Sequence, residues 1–197
     1  MEFIRKLHDF IHFRIHTPFG RTLLPGVARR YIATNLYDGT LLALGTVVSS
    51  LLLKLPPRET AFNGVVIGFS SLVSGFMGAF LVERAELTRE ISELEKHLFI
   101  RIGKRHVYMT GIILSLLNAA STSTPIFLSM TPYVLAYFGF LPVELAPPVA
   151  LIITLLLLSL LGFFLGHIAN ENPARTSALT ILSGLVILLF EMLLEGR

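Results

Sequence analysis

Residues 61–82 carry no charge, and the stretch runs on without proline or glycine into residues 83–97, a segment dense in glutamate. An apolar run of that length fits the hydrocarbon core of a bilayer, about 30 Å thick, when it is helical. The continuation then stands at the membrane surface as part of the same helix. At 100° per residue Glu83, Glu86, Glu90, Glu93 and His97 fall within one sector about 80° wide. Like charges at helical spacing repel, so this row needs a partner. Divalent metal ions are one such partner, and basic side chains from nearby turns are the other.

Further apolar runs follow the same pattern, and the mean hydropathy of +0.73 exceeds what a water-soluble domain needs. The chain reads as an all-α membrane protein with five spans, at about residues 31–53, 61–82, 106–128, 149–167 and 176–194. Residues 29–197 make one membrane domain, with the acidic helix 83–100 as a cytoplasmic extension of the second span. Residues 1–28 form an N-terminal segment. In it Phe3, Ile4, Leu7, Phe10 and Ile11 give an amphipathic face suited to lying in the interface. His8, His12 and His16 recur at i, i+4 and i+8 on its polar side, a spacing that lets neighbouring imidazoles share a metal ion. Residues 17–26, with two prolines and two glycines, read as a hinge, and no signal peptide is visible.

Two spans carry polar groups that a membrane helix tolerates only for a reason. Asp38 lies about 12 Å beyond Arg30 along the first span, deep enough that its carboxylate is a candidate functional group. A pair with Arg30 or a hydrogen bond to a neighbouring helix is its structural use. In the third span Ser115, Asn118 and Thr122 share a face, which suits either inter-helix hydrogen bonding or a hydrated path. Gly64, Gly68, Ser71, Gly75 and Gly78 line a narrow face of the second span, where another helix can approach, from this chain or from a second copy. Residues 132–148 read as a turn-rich external segment, His167 as a helix-end residue, and Glu191 as interfacial at the outer end of the last span.

Of the 16 basic residues only Lys54, Arg58 and Arg197 fall on the side opposite the N-terminus. The N-terminus and the acidic helix are therefore expected in the cytoplasm of a prokaryotic cell, at its plasma membrane, with the C-terminus outside. The chain has no cysteine, which excludes disulfides, zinc–thiolate sites and iron–sulfur clusters. No hydrolytic or redox constellation occurs, no nucleic-acid partner is expected, and the reading is non-enzymatic.

The stretch Arg30-Tyr-Ile-Ala-Thr-Asn-Leu-Tyr-Asp38-Gly39, the segment Ser74-Gly-Phe-Met-Gly78-Ala-Phe80 and the glutamates that follow resemble the vacuolar iron transporter family, which moves ferrous and manganous ions. In the second segment Gly75 stands where the family has methionine, Met77 lies two positions on, and Ala79 replaces a glutamate. The resemblance implies a homodimer in the lipid bilayer that exchanges a divalent ion for protons, with no permanently bound cofactor and Fe²⁺ or Mn²⁺ as substrate. It places Asp38 and Met77 on the transport path and Glu83, Glu86, Glu90 and Glu93 in a metal-binding region; the polar face of the third span adds Asn118 to the path, and the sector of the acidic helix adds His97 to the metal ligands. Carboxylate and imidazole without thiolate suit such ions, and their binding displaces protons. The alternative is a non-transporting membrane protein that uses the Glu/His helix for docking or metal sensing.

Overall fold

The computed structural model describes residues 20–98 and 105–195, and these are helical with short connections. Five long helices follow one another: α1 (Gly20–Leu52), α2 (Pro57–Leu98), α3 (Arg105–Tyr137), α4 (Ala146–Ala169) and α5 (Pro173–Glu195). A single 3₁₀ turn, Val143–Leu145, precedes α4. Among the described residues four segments can cross a membrane by length and composition: Pro57–Glu86, Gly111–Tyr137, Val143–Ala169 and Pro173–Leu193. The shortest has 21 residues, about 31 Å at helical rise, which matches the hydrocarbon thickness. The helix expected for the first span is present as α1 but is not among the four. Thr34, Asn35 and Asp38 dilute its apolar content.

The amphipathic segment with His8, His12 and His16 lies outside the described residues, except that helix already exists from Gly20 onward. The hinge expected at 17–26 is thus helical in its second part. Pro25 is the sixth residue of this helix, where it removes the donor that would otherwise reach the Arg21 carbonyl. A larger difference concerns the external segment expected at 132–148. Helix α3 runs on through Pro125 and Pro132 to Tyr137. Each proline removes one backbone donor, and hydroxyls in the same turns add others. Ser123 donates to the Ala119 carbonyl at 2.8 Å and Thr131 to that of Phe127 at 3.0 Å. Among close-packed helices a membrane proline is tolerated on such terms.

Three helix ends stop in the same way. At Lys54 (φ 50°), Gly139 (φ 79°) and Asn170 (φ 55°) the chain turns left-handed. In each case the next N–H reaches back five residues: Leu55 to Ser50, Phe140 to Leu135 and Glu171 to Gly166. These bonds satisfy carbonyls that the helix end would otherwise leave without donors. His167 is exposed in the last turn of α4, and it is its backbone carbonyl that accepts the capping Asn170 N–H.

The chain divides into two compact units. One takes the described residues up to Ile32 together with Gly75–Asn118, and the other takes Ala33–Ser74 and the described residues from Ala119 onward. The larger unit has a continuous apolar core. Ala43 and Val47 of α1, Ala61 of α2, Ile126, Met130 and Tyr133 of α3, and Ala146 and Ala150 of α4 meet in it. Small residues set the helix spacing. A Cβ on Gly64 or Gly68 would collide with Met130 or Phe127 of α3. The neighbour of that part of the glycine face therefore belongs to the same chain. Helices α4 and α5 form an antiparallel hairpin in which Gly162 and Gly166 face the α5 backbone. Hydroxyls fasten it: Thr180 donates to the Leu158 carbonyl and Ser177 to that of Ser159, each at 2.9 Å. Inter-helix bonds of this kind contribute roughly 0.6 kcal/mol each within a membrane.

Candidate functional site

In the larger unit the Asp38-Gly39 pair divides two tasks between neighbouring positions. Gly39 is buried where α1 presses on α3, so closely that a Cβ there would overlap the Thr122 backbone carbonyl. Beside this contact Thr122 Oγ1 donates to Asn35 Oδ1 at 3.3 Å. A rotation of 100° per residue then carries Asp38 off the packed face. Its side chain is exposed, and it makes no hydrogen bond or ion pair among the described residues. It opens instead onto a cavity of about 740 Å³ along α1 and α2. Thr46, Ser49 and Asn63 supply further polar groups to the wall, and Leu42, Val66 and Ile67 supply apolar ones.

The wall of the groove is tied to α5 at Ser49. Ser49 Oγ donates to Glu191 Oε1 of α5 at 3.1 Å. Higher on the same pair of helices Tyr37 donates to Ser183 Oγ at 2.6 Å. Sequence reasoning placed Glu191 in the interface and missed this tie. Its one available signal was the recurrence of polar residues at Ser183 and Glu191, eight positions apart and so on one face of an otherwise apolar helix.

In the other unit Glu83, a sequence-predicted metal ligand, is only 7% exposed. It lies against Gly111 and accepts a hydrogen bond from the Tyr31 hydroxyl at 2.6 Å. Its carboxylate thus acts as a bridge between α1 and α2. Glu86 and Glu93 are exposed, and Arg89 Nε donates to Glu93 Oε1 at 3.1 Å. An i, i+4 pair of this kind is what a solvated helix face forms. The side chains of Glu90 and His97 lie outside the described residues. Among the described residues no three His, Cys, Asp or Glu side chains converge to hold a metal ion.

The two remaining transport-path candidates differ in their surroundings. Asn118 is buried, and its Nδ2 donates to the Gly75 carbonyl of α2 at 2.8 Å, an inter-helix bond. Met77 is 46% exposed on α2. Phe76 and Phe80 stack beside it with ring centroids 6.0 Å apart.

No family model matches the chain. It is 30% identical over 179 residues to the uncharacterized protein MJ0645 of Methanocaldococcus jannaschii, a match covering 84% of this chain and 87% of that protein. At that identity and coverage the chain belongs to the same family as this archaeal protein.

Proposed function

We propose that the chain is a divalent transition-metal ion transporter of the vacuolar iron transporter type, working as a homodimer that exchanges Fe²⁺ or Mn²⁺ for protons. In this reading α1 also spans, as the first of five, the membrane is the prokaryotic plasma membrane, and the N-terminus and acidic helix are cytoplasmic. One observation carries the proposal: Asp38 stands exposed on a partly polar groove, without a bonding partner among the described residues. Left against lipid at the middle of a span, a charge costs roughly 2.5–3.5 kcal/mol on insertion scales. A second copy seated over the groove, or water within it, removes that cost. Such a carboxylate can hold either a proton or a hard divalent ion, and exchange between the two is the elementary event of antiport.

The Arg89–Glu93 pair favours a second reading for the acidic helix alone. A glutamate already engaged by arginine belongs to a solvated docking or metal-sensing face. Uptake by the purified protein in liposomes, with Fe²⁺, Mn²⁺ and other divalent ions offered in turn and a pH dye inside, separates the two. Metal entry with opposite proton movement supports transport. Metal binding without entry leaves the sensing reading.

A further inference from the structure

The end of α5 holds a carboxylate for which helix packing gives only half an account. Glu191 Oε1 accepts from Ser49, but Oε2 is enclosed by protein with no hydrogen-bond partner. Glu191 makes no ion pair among the described residues. Room for it is made on α1 by Gly45, where a Cβ would stand 3.4 Å from Oε1. Both residues that Glu191 meets on α1, Gly45 and Ser49, also line the groove that contains Asp38. Ile187, one turn earlier on α5, lines it too. Asp38, Gly45 and Ser49 recur at i, i+7 and i+11, one stripe of α1. The stripe therefore runs from one carboxylate to the other, over roughly 16 Å of helix.

An ionised oxygen that is enclosed and without a donor is unfavourable unless a positive charge reaches it. Glu195 follows one turn on along α5. On the other elements at this end the charged groups are Lys54, Arg58, Glu59 and Glu144. All four are exposed, and none pairs with Glu191 among the described residues. No described side chain supplies the charge. We propose that Glu191 is a second cation-binding carboxylate, set behind the groove wall formed by Gly45 and Ser49, taking a proton or a divalent ion at Oε2 while Ser49 holds Oε1. The assignment goes beyond the transport reading. It concerns equilibrium occupancy of this group, whichever solute the chain moves.

Infrared difference spectroscopy of the full chain in neutral-lipid vesicles tests it, with no gradient imposed. Spectra are taken on acidification and on addition of Mn²⁺, for wild type, E191Q and D38N. Gln keeps an oxygen that accepts from Ser49, so a merely structural tie survives in E191Q. The expected result is a carboxyl signal present in wild type and D38N and lost in E191Q. A response to Mn²⁺ assigns a metal, and a response to acid alone assigns a proton. Wild-type and E191Q spectra that superimpose under both conditions overturn the proposal. Should E191Q fail to assemble, S49A removes one hydrogen bond and leaves the carboxyl in place. Its signal must then shift relative to wild type, and an unshifted spectrum overturns the proposal as well. Because no transport is measured, absence of metal uptake in the separate liposome assay leaves this result standing.

Discussion

At residue scale the structure turns on adjacent positions with opposite duties. Gly39 gives up its side chain so that α1 can rest on the backbone of α3, and that contact fixes the direction in which Asp38 points. The obstacle to a larger residue at position 39 is a backbone carbonyl, which cannot rotate away as a side chain can. Gly39→Ala is therefore expected to cost about 1–3 kcal/mol, in the range of overpacking substitutions. Thermal unfolding in detergent measures this. An unchanged midpoint would mean that α1 and α3 do not meet there. Gly45 has a similar role towards Glu191 with a gentler contact, so the same substitution is expected to be milder there.

At the scale of elements the acidic extension of α2 is the part whose chemistry is most open to measurement. Replacing Glu86, Glu90 and Glu93 together by Gln keeps size and helix propensity and removes ligand charge. Divalent-ion binding by calorimetry is expected to fall sharply while folding survives. Unchanged binding would leave this face to its Arg89–Glu93 pair and to docking. Much of the element order was legible because long apolar runs are a strong, local signal. The spans expected at 61–82, 149–167 and 176–194 fall inside α2, α4 and α5. Pro132 misled the reading of α3, since proline ends most helices and only packed neighbours let it continue. Asp38 was legible as an anomaly in an apolar run. The tie between Ser49 and Glu191 was not, since 142 positions separate them and no local pattern encodes their meeting. The same holds for Tyr31 and Glu83, which lie 52 positions apart and meet as a bridge between helices.

At the scale of the whole molecule, the proposed dimer needs a face on which two copies can meet. Asn63, Ser70 and Ser74 are exposed at i, i+7 and i+11, a polar stripe on a helix that is otherwise apolar there. A two-fold dimer would place such stripes against each other, since self-complementary contacts are what two-fold symmetry requires. The sequence contains no cysteine, so single cysteines at Asn63, Ser70 and Ser74 give a clean test. Cross-linked dimers in native lipid are expected at one or more of these positions. Their absence at all three, in a protein that runs as a monomer, contradicts the dimer. The most direct measurement combines Asp38→Asn with metal-driven proton flux in proteoliposomes. Asn keeps the shape of the side chain but can neither release a proton nor offer a charged ligand. The account predicts a variant at least as stable as wild type in which metal uptake and proton flux are both abolished. Normal proton flux in Asp38→Asn vesicles would contradict it.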